Sequence, residues 1–149
     1  MGVVNERLPD VPAANDVPPL VKPGVYDLAF IDYRTALMFR GCAPKLIMNF
    51  RIVTMGEFFE TELSRYYNVK RLIGKHGLHG NFKPSGKGDF LREYMTLFTG
   101  RITRTDRIPM SVFTGAIIVG KVTTVKRSRG KDIPKELHYS VVSELRKVR

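Results

Sequence analysis

Residues 46–54 read LIMNFRIVT. Leu46, Met48, Phe50 and Ile52 take alternate positions, with Ile47, Asn49, Arg51 and Val53 between them. Successive side chains of a strand point to opposite faces, so this is the pattern of a half-buried β-strand with one apolar side. A helix would throw the same four residues onto two opposed sides and bury neither cleanly.

The segments around it read the same way. Val25–Arg34 (VYDLAFIDYR) is rich in β-branched and aromatic types, and Asp27 and Asp32 predict that one side meets water. A connection with Arg40, Gly41 and Pro44 joins the two strands, and Met55–Gly56 marks the next turn. Phe58–Val69 (FFETELSRYYNV) predicts a third strand. Alternation places Phe59, Thr61, Leu63, Arg65 and Tyr67 on one side and Phe58, Glu60, Glu62, Ser64 and Tyr66 on the other. The adjacent tyrosines therefore face apart, with Tyr66 on the more polar side.

Residues 74–88 (GKHGLHGNFKPSGKG) carry five glycines and predict a flexible basic loop. Asp89 follows as an expected N-cap. Phe90, Leu91, Tyr94, Leu97 and Phe98 then form a helical stripe for the core, and Gly100 is the expected stop. Ala116–Val125 and His138–Leu145 predict two closing strands, separated by the basic turn KRSRGKDIPKE. Three strands, a helix and two strands is the order of an OB-fold-like five-stranded Greek-key barrel, mainly β with one helix. Residues 1–23 hold five of the nine prolines and no hydrophobic period; they predict a mobile or loosely docked arm ahead of one domain over 24–149.

Charge supplies the functional signal. The net charge of +11 is unevenly spread. Arg65–Lys135 carries sixteen Lys or Arg against Asp89, Glu93, Asp106 and Asp132, whereas residues 1–64 carry six bases against eight acids. A basic block interleaved with Tyr66, Tyr67, Phe82 and Phe113 suits a polyanion with stackable bases. The loop between the first two strands adds Arg34, Arg40 and Lys45, and the last loop adds Lys126, Arg127, Arg129 and Lys131. In an OB fold these two loops flank the ligand face.

Other chemistries have weaker signatures. No apolar run approaches the roughly 18 residues of a membrane span, and the N-terminal residues lack the apolar core of a signal peptide. The single Cys42 allows no internal disulfide and suits a reducing, cytoplasmic setting. His76 and His79 form HxxH, but zinc needs further ligands, so no metal or other cofactor is expected. The Gly-rich loop lacks the spacing of a phosphate-binding P-loop. Glu60 and Glu62 suggest paired carboxylates for acid–base chemistry or metal-assisted hydrolysis, but no His or further acid lies at a supporting spacing, and a charged edge or a face salt-bridged to Arg65 is the better explanation. No nucleophile motif is present, and the chain reads as non-enzymatic.

The segments KPGVYDLAFIDYR, NFRIVT, ELSRYYNVKRL, DFLREYMTLF, RIPMSVFTG and YSVVSEL, spanning residues 22–148, together resemble small basic proteins of phages, prophages and integrative elements. Some related phage proteins are OB-fold single-stranded DNA-binding proteins. The resemblance implies a bacterial host cytoplasm and a role near replication or recombination proteins. Bacterial single-strand-binding proteins typically end in an acidic recruiting tail; this chain ends SELRKVR, so that role is not expected of it.

The candidate contacts are Arg34, Arg40, Arg51, Arg65, Tyr66, Lys70, Arg71, Lys75, Phe82, Lys121, Lys126, Arg127 and Arg129. Their expected ligand is single-stranded nucleic acid, DNA ahead of RNA, held by phosphate neutralisation and base stacking. The alternative is a protein-interaction module or accessory subunit, docking partners through the Pro-rich arm or forming a homo-oligomer through exposed strand edges.

Overall fold

The computed structural model describes residues 19–38, 40–99, 108–128 and 130–149. Its elements in chain order are β1 (Gly24–Met38), β2 (Ala43–Ile52), β3 (Glu62–Asn68), β4 (Arg71–Ile73), β5 (Gly77–Leu78), β6 (Asn81–Lys83), α1 (Asp89–Leu97), β7 (Ile117–Val125), β8 (Arg127–Ser128), β9 (Lys131–Asp132) and β10 (Tyr139–Val148). Single 3-10 turns at Met110–Phe113 and Lys135–Leu137 lead into β7 and β10.

The five long strands form one antiparallel sheet in the order β10-β7-β1-β2-β3. The apolar face expected of residues 46–52 is the core: Leu46, Met48, Phe50 and Ile52 are completely buried. Cross-strand neighbours share a face, so the register extends that face to Leu28 opposite Ile52, Phe30 opposite Phe50, and Leu63 opposite Phe50. Ile118 and Val122 of β7 and Val142 and Leu145 of β10 complete it.

One irregularity in β1 decides which way its second half faces. Strict alternation from Leu28 and Phe30 would put Asp32 in the core. The register shifts between Phe30 and Asp32, and the extra residue, Ile31, is exposed. The bulge turns Asp32 outward beside Asn49 and keeps Tyr33 and Thr35 inward, opposite Met48 and Leu46. A second close fit lies at Gly120, opposite Tyr26 and Leu145. A Cβ there would sit 2.6 Å from Leu28 Cδ1 and 3.2 Å from the Glu144 carbonyl oxygen, so only glycine lets β1 and β10 press against β7.

The two ends of the sheet path, β3 and β10, run beside each other, yet among the described residues no ladder joins them. Helix α1 packs over this seam against both strands. It inserts Phe90 and Tyr94, both fully buried, and Phe90 meets Tyr67, Phe82 and Tyr94 with ring centroids 5.2, 5.3 and 5.7 Å away. Asp89 is the first helical residue rather than the cap. Gly88 holds the N-cap position, and the Asp89 carboxylate instead pairs with Arg92 at 2.8 Å. Gly100 lies outside the described residues.

Three expected segments differ. The third strand starts at Glu62, not Phe58, because residues 57–60 form a turn in which Glu60 takes a φ of +72°. Glu60 and Glu62 therefore do not share a strand face. Residues 74–88 are not a featureless loop: β4 pairs β6, β5 pairs β1, and Phe82 is buried between them and α1. The basic turn after β7 folds into the β8–β9 hairpin. Of the N-terminal arm, residues 1–18 lie outside the described residues. Val21 is fully buried in the core, with its N–H donated to Ser140 Oγ at 2.7 Å and its carbonyl oxygen accepting from the same hydroxyl at 3.1 Å. No described helix is long and apolar enough to cross a membrane.

Candidate nucleic-acid interface

The outer face of β1, β2 and β3 is built in rows, because antiparallel neighbours stand side by side. One row is Arg34, Ile47 and Tyr66. Arg34 is exposed, Tyr66 half-buried, and the two cover Ile47, which is 2% exposed. The next row toward the β1–β2 turn is Ala36, Lys45 and Asn68, with the Lys45 ammonium donating to the Asn68 side-chain oxygen. On the other side lies Asp32, Asn49 and Ser64: Ser64 Oγ donates to Asn49 Oδ1 and Asn49 Nδ2 donates to Asp32 Oδ1, each at 2.7 Å.

Short connections bring more cations to the same end. Arg40 sits in the β1–β2 turn with a φ of +59°. Lys70 and Arg71 follow directly on β3, and Lys75 precedes β5, which pairs with β1 at Arg34 and Thr35. Arg34, Arg40, Lys70, Arg71 and Lys75 are exposed. Among the described residues no ion pair engages any of them. They can present charge to a ligand without first breaking an internal bond.

The remaining candidates divide. Lys121 is exposed on the outer face of β7, opposite Val25. Lys126 and Arg127 lie beyond it. Nine residues separate Val25 from Arg34 along β1, roughly 30 Å of strand path at the usual rise, so these cations form a second patch at the opposite end of β1. Arg127 is tied down there, with Asp132 at 3.4 Å and the Gly130 carbonyl oxygen at 2.6 Å. Arg51 is exposed but bonded at 2.7 Å to Glu60, which cancels most of its field. Arg129 lies outside the described residues.

Two candidates are corrected by burial. Phe82, 5% exposed, packs edge-on against Phe90 and cannot stack on a base. Arg65, 7% exposed, points to the core side of β3 and serves Glu93 of α1. Its Nη2 lies 2.6 Å from Glu93 Oε2 and its Nε 3.4 Å from Oε1. Glu93 Oε1 also accepts from the Tyr67 hydroxyl at 2.6 Å and from the backbone N–H of Leu145 in β10 at 3.0 Å. One buried carboxylate thus ties β3 to β10 where the ladder is missing. Sequence reasoning treated Glu93 only as one of the four acids within the basic block. The signal was its place three residues after Phe90 and four before Leu97, inside the helical stripe.

This network perturbs its members. Burial works against the Arg65 charge, but the hydrogen bond and attraction of Glu93 outweigh it, and the guanidinium is held more firmly protonated than usual. Burial, reinforced by the Glu93 charge, pushes the Tyr67 hydroxyl well above the usual tyrosine range. Burial also raises Tyr33. A folded state that keeps protons which the unfolded chain releases near pH 10 loses stability as pH rises past that point. These two tyrosines are therefore expected to leave stability unchanged below pH 10 and to lower it above that by up to about 1.4 kcal/mol per pH unit each, until the folded-state hydroxyl itself ionises. Urea midpoints at pH 9, 10 and 11 check this; an unchanged midpoint at pH 11 would contradict it.

His76 is exposed, and the His79 ring lies against Tyr33 with centroids 5.1 Å apart. Among the described residues no three His, Cys, Asp or Glu side chains converge to hold a metal ion. The Tyr66 end thus brings together a half-buried tyrosine, five cations outside the described ion pairs and an adjoining hydrogen-bonded polar row. No protein-family model, no curated protein and no solved structure matches this chain.

Proposed function

We propose that the protein is a non-enzymatic binder of single-stranded nucleic acid, DNA first and RNA second, with little sequence preference. The observation that carries this is the row Arg34–Ile47–Tyr66. It sets Tyr66 on an outer sheet face, with Arg40, Lys70, Arg71 and Lys75 on connections at the same end of the sheet. Cations neutralise phosphates and release counterions, while Tyr66 stacks on a base. The order of the five long strands, with the helix between the third and fourth, supports an OB-like barrel whose last ladder is replaced by the Glu93 bridge. The resemblance of residues 22–148 to phage and integrative-element proteins supports a setting in the bacterial host cytoplasm, beside replication or recombination proteins.

Fluorescence anisotropy of labelled single- and double-stranded oligonucleotides across a salt series tests the reading. If five cations each neutralise one phosphate, log K falls with log salt at a slope of about −3.5. Tyr66→Leu keeps a cover over Ile47 but removes the stacking face, and is expected to weaken binding by about 1–3 kcal/mol. Weak binding without strand preference, or an unaffected Tyr66→Leu, would shift the search to protein partners.

A further inference from the structure

The second basic patch surrounds a cavity unconnected with the Tyr66 row. Its volume is about 520 Å³, within the roughly 300–1,000 Å³ typical of small-ligand clefts. Three separate segments of the chain bring lysines to it: Lys22 ahead of β1, Lys126 after β7, and Lys135 in the 3-10 turn before β10. Leu20 and Pro23 contribute apolar wall over the buried Val21, and His138 adds its imidazole. No lining residue is acidic. Among the described residues no ion pair engages the three lysines.

The wall is well fixed. Val21 is locked to Ser140 by two hydrogen bonds. Pro23 follows Lys22, whose carbonyl oxygen accepts from the Tyr26 hydroxyl at 2.6 Å. The Lys126 carbonyl oxygen accepts from Ile133 N–H at 3.1 Å, and the 3-10 turn is closed by Leu137 N–H to the Pro134 carbonyl oxygen at 2.8 Å. His138 Nε2 rests 3.2 Å from the Ile133 carbonyl oxygen, a contact that requires this nitrogen to carry a proton. Three lysines lining one concavity with no acid among the lining residues leave a positive field there, and a dianion beside them gains charge-assisted hydrogen bonds. Inorganic phosphate alone would leave the apolar wall unused.

We propose that this cavity binds a phosphomonoester carried on a flat apolar body, the chemistry of a nucleotide. Lys22, Lys126 and Lys135 hold the phosphate, and Leu20, Pro23 and His138 face the body. Two sources share this chemistry: a free nucleoside monophosphate and the 5′-phosphorylated end of a strand. The site does not depend on the Tyr66 row, so either can fail without the other.

Calorimetric titration of the full chain with adenosine 5′-monophosphate and with adenosine tests it. The nucleotide is expected to bind, with adenosine at least about ten-fold weaker, and Lys126→Ala and Lys135→Ala are each expected to lower nucleotide affinity about ten-fold, the loss of one charge-assisted hydrogen bond. Both lysines are exposed, so the variants should fold; Tyr66→Leu should leave nucleotide binding unchanged. Equal binding of adenosine, insensitivity to either lysine, or no nucleotide binding at millimolar concentration would overturn the proposal. Anisotropy with 5′-phosphoryl and 5′-hydroxyl oligonucleotides then separates the sources. A phosphate-dependent gain that Lys126→Ala abolishes assigns the site to strand ends; with the nucleotide bound, equal affinities assign it to free nucleotide.

Discussion

Glu93→Leu is expected to lower the unfolding free energy by about 3–5 kcal/mol, the range for removing one partner of a buried ion pair. Glu93 is 3% exposed and accepts hydrogen bonds from Arg65, Tyr67 and the Leu145 backbone. Leucine would strand the Arg65 charge on the core side of β3, with Asp89 at 3.8 Å as the nearest remaining acid among the described ion pairs. It would also remove the acceptor that the Tyr67 hydroxyl and the Leu145 N–H share. Since typical domains are stable by only about 5–15 kcal/mol, urea unfolding should show a large drop in midpoint. Glu93→Gln separates charge from hydrogen bonding: it keeps an acceptor for Leu145 and Tyr67 but removes the counter-charge. A loss within about 0.5 kcal/mol for Gln, as for an ordinary surface change, would mean that the ion pair contributes little. Amide exchange at Leu145 gives an independent readout, because that N–H donates to Glu93.

Phe90→Ala is expected to cost about 3–5 kcal/mol as well, the usual range for a phenylalanine removed from a core. The ring is 2% exposed and stands at the junction of three elements, edge-on to Tyr67 of β3 and to Phe82 of β6, and beside Tyr94 of its own helix. The short β4–β6 ribbon and α1 share it as a common contact. Its removal should therefore loosen residues 71–83 as well as the helix, and exchange protection in β6 should fall with that of α1. A loss below about 1.5 kcal/mol, the range of conservative core changes, would show that neighbouring rings refill the space. Neither substitution touches the outer face, so at a temperature where the variants remain folded, oligonucleotide affinity should match that of the parent protein.

Much of the sheet was legible from period alone. LIMNFRIVT, VYDLAFIDYR and the segments around Ile118 and Val142 each carry enough alternation or β-branched content to specify a strand, and ELSRYYN specifies opposite fates for its two tyrosines. The helix was legible from the five aromatic or leucine positions of its stripe. What misled was composition. Five glycines made residues 74–88 read as loop, yet the chain uses three of them, Gly74, Gly77 and Gly80, to turn tightly between β4 and β6 so that Phe82 can reach the core. Arg65 counted toward the basic surface because charge is normally solvated. It is buried because the face shared by Leu63 and Tyr67 claims it and Glu93 stands opposite.

The sequence by itself determined the strand faces, the helical stripe and the concentration of cations, since each is a local pattern read within a dozen residues. Only the tertiary structure decided which cations remain available. The bulge at Ile31 turns Asp32 outward and sets Arg34 beside Ile47 and Tyr66, which no local period encodes. A partner 28 residues away withdraws Arg65 into a buried ion pair, and the turns at Glu60 and Asp132 bring acids onto Arg51 and Arg127. The length of β1 divides the rest into a Tyr66 end and a Lys126 end. Net charge is a sum over the chain, but a binding surface depends on which charges stand side by side and unpaired, and that is a property of register and packing.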